Sequence, residues 1–352
     1  MSTRKWVGIL TGGGDAPGLN AAICGVGRRL QEGAFSLFGF RDGWRGVVEN
    51  EGREVLPSEF FDLVPRGGTI LGASSHFPYK QPELDVPRIR ATFAARELHG
   101  LVAIGGDGTL ITAERLSREE RLPVVAVPKT IDNDLAATDF TFGFFTAVER
   151  AMVAMDQLRT TAEAHSRVMV VECMGRHAGW ITAYAAVAGA AEAILVPERQ
   201  AELNDLYEQL RTVRRGGRRA AIVAVAEGAR LAENGIPLSS KEKDEFGGYK
   251  TGGVADQVAK RIQLVLGWEA RGVVLGHLQR AGAPLAFDRL FALRLGAKAA
   301  RLVLEGRFGR MSALQGGEVV DVPIAEAIAA RKRLPEHFLD RYENFFVPFF
   351  QP

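Results

Sequence analysis

The feature that most constrains this chain is a recurrence. Short runs rich in Val, Ile and Leu, several ending in glycines and polar residues, alternate with longer stretches of helical period. Candidate buried strands span 6–10, 101–104, 124–127, 168–172, 193–196, 220–226 and 272–275. Candidate helices span 20–31, 86–98, 144–160, 253–266 and 287–304; in the last, Leu290, Leu293, Ala297, Ala300 and Leu304 fall on one stripe. Strands alternating with helices predict an α/β fold with mainly parallel sheets, helices on both faces and ligands at the carboxyl ends of the strands. The 352 residues suit two domains of ordinary size. Strand-rich blocks before and after about Phe142 predict two lobes, and the polar segment 228–250 reads as an exposed connection.

A formal charge of only +2, spread along the chain, gives no support for a nucleic-acid partner. The basic runs at 214–219 and 331–333 read as solvated charge. Cys24 and Cys173 lie far apart, in no metal-ligand spacing, which suits a reducing compartment. Residues 1–5 lead straight into the first strand without a signal peptide, and no apolar stretch nears the ~20 residues of a membrane span. The expectation is a cytoplasmic enzyme or binding protein without a membrane partner.

Three strand ends carry chemistry. The first is Thr11-Gly12-Gly13-Gly14-Asp15-Ala16-Pro17-Gly18, entering a helix. Glycines there allow backbone N–H groups to approach a phosphate, although a tight turn without ligand explains the segment equally well. It is neither a Walker A loop nor a Gly-x-Gly-x-x-Gly fingerprint. The second is Gly105-Gly106-Asp107-Gly108-Thr109, where Asp107 could hold Mg²⁺ against polyphosphate oxygens or simply cap a helix. The third is Pro128-Lys129-Thr130-Ile131-Asp132-Asn133-Asp134. So many polar groups at a buried strand end are costly unless paired, and one carboxylate could take a proton from an attacking hydroxyl. An Asx-turn cluster is the bland alternative.

These segments, with Met174-Gly175-Arg176-His177-Ala178-Gly179 and Gly276-His277-Leu278-Gln279-Arg280-Ala281-Gly282, resemble the signature segments of the phosphofructokinase family, in family order across residues 8 to about 290. The resemblance implies two Rossmann-like lobes with the active site in a cleft between them. Residues 1–143 plus about 279–327 would form the phosphoryl-donor lobe, and about 144–278 plus 328–352 the sugar-phosphate lobe. It implies ATP and fructose 6-phosphate as substrates with Mg²⁺. Asp132 would be the base, with Thr130, Asp134, Lys129 and Gly14 beside the reaction. Gly14, Trp44, His76, Lys80, Gly106, Asp107, Gly108 and Thr109 would bind ATP, with Asp107 on the metal. Thr130, Asp132, Met174, Gly175, Arg176, Glu227, His277 and Arg280 would bind the sugar phosphate. Arg167 and Arg271 would reach a neighbouring subunit's sugar phosphate, which implies a homo-oligomer, by family habit a tetramer, with a dimer as the alternative. Trp44 would stack on adenine, or equally serve as a core tryptophan.

The sequence departs from the family pattern at two places. After Gly67-Gly68-Thr69-Ile70-Leu71-Gly72 the family usually has an arginine; here Ser75 or His76 stands there, so a fixed charge is missing. Cys24 follows Asn20-Ala21-Ala22-Ile23 where an effector-site arginine is usual, while Arg28 matches the second arginine of that site. Two signals for the donor disagree. Gly108 leaves the nucleotide α-phosphate space open and reads as ATP, whereas Lys129 is more usual in pyrophosphate enzymes. An occupied space excludes ATP and an added cation tolerates either donor, so the expectation is ATP, with pyrophosphate as the alternative. A lipid or NAD kinase would share only Gly-Gly-Asp-Gly-Thr, and intact Asp107, Thr130 and Asp132 speak against a degenerate subunit.

Overall fold

The computed structural model describes residues 5–238, 253–342 and 345. The chain forms two compact units, Met1–Ile131 with Leu135–Thr146 and Arg280–Arg331, and Asp132–Asp134 with Ala147–Gln279 and Lys332–Pro352. The first unit contains β1 (Lys5–Thr11), β2 (Phe35–Phe40), β3 (Gly52–Val55), β4 (Leu98–Gly105), β5 (Val124–Pro128), β13 (Arg310–Gln315) and β14 (Glu318–Pro323). The second contains β6 (Val168–Cys173), β7 (Ala193–Leu195), β8 (Ala201–Glu202), β9 (Ala221–Ala226), β10 (Leu231–Glu233), β11 (Ile236–Pro237) and β12 (Ala270–Val274).

In the first unit the seven strands run in the order β14-β13-β5-β4-β1-β2-β3. Pairing is parallel except at the two edges, β2 with β3 and β13 with β14. β1 sits inside this sheet because both its faces are apolar, the mark of a strand covered on both sides. From β1 the chain builds outward to β2 and then returns to place β4 on the opposite flank. The strand order therefore reverses between β1 and β4, which opens a crevice at their carboxyl ends. The all-parallel sheet β12-β6-β9-β7 of the second unit repeats the device, with the reversal between β6 and β12. Both reversals fall beside segments already singled out by their residues.

The helices Leu19–Leu30 and Ala286–Leu304 pack closely through glycines. A Cβ on Gly25 would lie 2.3 Å from the Leu293 carbonyl oxygen, and one on Gly296 2.3 Å from that of Ala22. This contact chooses the buried face of the second helix. Phe291, Ala292, Leu295 and Ala299 face inward, whereas Leu290, on the stripe picked out by periodicity, is 60% exposed. The helix carries apolar residues on more than one face, so periodicity alone could not select the side that glycine makes close-fitting. Segment 228–250 is not wholly a loop: β10 and β11 form a small sheet with β8, and 239–252 lie outside the described residues.

Fully buried Asp288 anchors the start of the helix Phe144–His165. Its carboxylate accepts from the N–H of Gly143 at 3.0 Å, the N–H of Thr146 at 2.7 Å and the Thr146 hydroxyl at 2.6 Å. Burial pushes the carboxyl above its usual range, and these hydrogen bonds partly oppose the shift. Asp288→Ala orphans the buried donors and should cost about 2–3 kcal/mol in urea unfolding. A carboxyl raised in the folded state favours folding below its unfolded pKa and loses that contribution as pH climbs through its folded pKa. The deficit of Asp288→Ala should therefore shrink as pH rises; a gap that widens would contradict the raised carboxyl.

Candidate active site

In the first unit, three strand-end loops are tied together by short contacts. Gly12 donates to the Ile104 carbonyl at 2.9 Å and Gly13 to that of Ser74 at 2.8 Å. Gly13 has φ +75°. A Cβ on Gly12 would meet the Thr109 hydroxyl at 2.4 Å, so only glycine lets the first loop lie against the start of the helix Asp107–Glu119. The Gly14 carbonyl accepts from Lys129 Nζ, and the Asp15 carbonyl accepts from Arg280 Nη1 at 2.8 Å. Lys129 is 3% exposed, so its ammonium is a nearly dry charge aimed at the glycine loop. The Thr130 carbonyl accepts from the Thr141 hydroxyl at 2.7 Å, which fixes the segment that follows β5.

Asp107 opens its helix with a partly exposed side chain, and Arg331 Nε lies 3.7 Å from its carboxylate. A Cβ on Gly106 would sit 3.4 Å from the Lys129 carbonyl, whereas one on Gly108 would have nothing within 4 Å. Space beside Gly108 is therefore open. His76 is bound through Nε2 to the buried carboxylate of Asp85 at 2.9 Å. Ser75 and Lys80 are exposed.

Trp44 is placed differently from the expectation of adenine stacking. It is 1% exposed and belongs to the cluster of Leu10, Phe40, Val47 and Ile89. An indole enclosed by core side chains offers no free face, so the core alternative describes this conformation. The start of the short helix Trp44–Glu49 turns the ring inward.

In the second unit, the loop after β6 is held by a carboxylate at the end of β9. Glu227 accepts from the N–H of Arg176 at 2.9 Å and of Gly175 at 3.3 Å. Gly175 and Arg176 have φ of +146° and +47°, a conformation that needs such support. Met174 N–H donates to the amide oxygen of fully buried Gln279 at 3.3 Å. Gln279 closes the short turn Gly276–Gln279 that carries His277, so the loops after β6 and β12 meet. Asp132 is 8% exposed. Its neighbours are held by Lys332, whose Nζ donates to Asn133 Oδ1 and whose N–H donates to the Asp134 carbonyl, both at 2.8 Å. Arg167 and Arg271 both pair with Glu269, at 3.4 and 3.0 Å.

Residue patterns had not marked Asp85, Glu269, Arg331 or Lys332. The last two lay in a basic run that resembles solvated charge, and only the path of the chain brings them to polar loops. Among the described residues no helix is long and apolar enough to cross a membrane.

The phosphofructokinase family model matches residues 6–303. The chain belongs to the phosphofructokinase family. It is 47% identical to a pyrophosphate–fructose 6-phosphate 1-phosphotransferase of Streptomyces coelicolor, over 97% of this chain and 99% of that protein. It is 43% identical to the ATP-dependent 6-phosphofructokinase 3 of the same organism, over 94% and 96%. The crystal structure of Pichia pastoris phosphofructokinase in the T-state superposes with a TM-score of 0.80 at 30% identity; it covers 94% of this chain, which spans 36% of the yeast one. A pyrophosphate-dependent phosphofructokinase structure from Marinobacter aquaeolei, 23% identical with a TM-score of 0.80, shares the fold. Phosphofructokinase activity and the α/β fold with mainly parallel sheets are thereby established, and relatives of both donor types stand close to this member of the family.

The Glu227 clamp gives a direct test. Glu227→Ala leaves the N–H groups of Gly175 and Arg176 without their acceptor. The KM for fructose 6-phosphate should rise about tenfold, the scale of a charge-assisted hydrogen bond, with a smaller change in kcat. An unchanged KM would separate the clamp from sugar binding.

Proposed function

We propose that this chain transfers a phosphoryl group to the 1-hydroxyl of fructose 6-phosphate and takes pyrophosphate as its main donor. The carrying observation is Lys129, whose ammonium is nearly dry and bonded to the Gly14 carbonyl. A fixed cation there tolerates either donor, but it can neutralise a compact, densely charged one without any nucleotide contact. Two further observations support it: Trp44 offers no face to an adenine, and His76, beside the missing family arginine, is engaged by Asp85. Among the relatives, those named as pyrophosphate enzymes are 43–48% identical, and those named ATP-dependent 41–43%. ATP, the donor expected from Gly108, is the second reading, favoured by the open space at that residue.

In this reading Asp132 takes the proton of the sugar hydroxyl as it attacks, and Thr130 and Asp134 orient the reacting groups. Gly14 N–H, Gly106, Thr109, Lys129 and Lys80 receive charge on the donor phosphates. Met174, Gly175, Arg176, Glu227 and His277 hold the sugar phosphate. Arg280, anchored on Asp15, lies against the glycine loop of its own unit and faces the transferred group. Arg167 and Arg271 serve a neighbouring subunit in a cytoplasmic homo-oligomer. Asp107 fits Mg²⁺. It is a single, partly exposed carboxylate, which suits an ion held by one side chain and by phosphate oxygens. When bound, the ion would neutralise charge on the donor oxygens.

Asp132→Asn should lower kcat by about 10²–10⁴-fold with little change in sugar binding; near-normal turnover would remove Asp132 as the base. For the donor, kcat/KM should favour pyrophosphate over ATP, and Lys129→Gly should narrow that preference. Gly108→Asp should damage ATP use more than pyrophosphate use. A wild-type enzyme that favours ATP would reverse the assignment and leave the sugar reaction intact.

A further inference from the structure

The basic run 331–333 is not used by the reaction described above, yet Arg331 is held in place. Its backbone bridges Leu135 in antiparallel fashion, directly after the segment that carries Asp132 and Asp134. Its Nε lies 3.7 Å from Asp107 Oδ2, with the side chains 51% and 37% exposed. That separation is an ion pair rather than a hydrogen bond, and exposed pairs of this kind contribute little stability. The guanidinium is thus positioned by backbone and by charge while its directed donors stay available. Next to Asp107 in the chain, the Gly108 position opens on space, and His76, which stands where a fixed charge is missing, is bound to Asp85.

We infer that Arg331 is a donor-binding residue: its guanidinium contacts a phosphate of the phosphoryl donor beside Asp107. This rests on the reading that donor phosphates bind at Asp107. An anion that arrives there meets a carboxylate, and an adjacent arginine offsets that repulsion. A planar guanidinium can then form two directed bonds to phosphate oxygens. Within the first unit, buried Lys129 charges the glycine loop and exposed Arg331 charges the start of the helix Asp107–Glu119. Arg331 thereby supplies positive charge that Ser75 and His76 do not.

The test is calorimetric titration of the intact chain with magnesium pyrophosphate and with magnesium ATP. Arg331→Gln should raise the Kd for the preferred donor about tenfold or more, the scale of a lost charge-assisted contact. Arg331→Lys should fall between, since it keeps the charge and loses the fork, and it carries the comparison if the Gln variant does not fold. Fructose 6-phosphate should bind all variants equally, and Arg333→Gln, at an exposed arginine two residues further along the chain, should match wild type. Donor binding that is unchanged or tighter in Arg331→Gln overturns the inference; tighter binding would mean that Arg331 only competes for Asp107. A wild-type chain that binds donor without turnover would sink the proposed reaction while the Kd comparison still decides Arg331. One that binds neither donor overturns both.

Discussion

The molecule depends on a rule of parallel sheets. Where a chain builds outward from one strand and then returns to build on its other flank, the loops at that strand's carboxyl end diverge and leave a crevice. β1 does this in the first unit and β6 in the second. Glycine then decides how close the backbones come: Gly12 admits the Thr109 hydroxyl, and a Cβ on Gly228 would collide with the Arg176 carbonyl at 1.7 Å. Topology makes the openings, and the absence of side chains sets their width.

Buried and half-buried carboxylates hold these openings in shape. Asp288 serves the start of Phe144–His165, Glu172 accepts from Gly253 and Ala255 at the start of Val254–Leu266, and Glu227 supports the loop after β6. Glu198 does the same work for Gly179, before Trp180–Ala188. Each matches a negative side chain to backbone N–H groups that lack helical partners. Glu192 is the variant with side-chain cations, fully buried between Arg159 and Arg218 and also accepting from Ile222 N–H. Because each acceptor serves more than one donor, removing one leaves several donors stranded together.

Much of this was legible from residues alone. Parallel strands buried on both faces announce themselves as unbroken Val/Ile/Leu runs, and the candidate strands overlap β1, β4, β5, β6, β7, β9 and β12. The glycine- and aspartate-rich ends that follow them mark the crevices, because no core needs such residues. The edge strands β3 and β14 and their neighbours β2 and β13 were harder to see, because polar residues or glycine break up their apolar runs. Trp44 shows another limit: an aromatic in a family position can still be turned into the core by the helix that carries it. Arg331 and Lys332 show the reverse, since surface-type residues acquire partners only when distant chain returns to Asp107 and Asn133.

The close seat of Leu19–Leu30 against Ala286–Leu304 bears on how the protein is made. On a ribosome the first of these helices emerges early and waits for its partner until most of the chain has been synthesised. Its apolar face, with Ala22, Ile23 and Val26, stays uncovered through that interval. The β6–β12 sheet of the second unit, by contrast, is complete before the late helix appears. The face of an early helix is therefore completed only by residues made late, a long-range contact of the kind that slows folding.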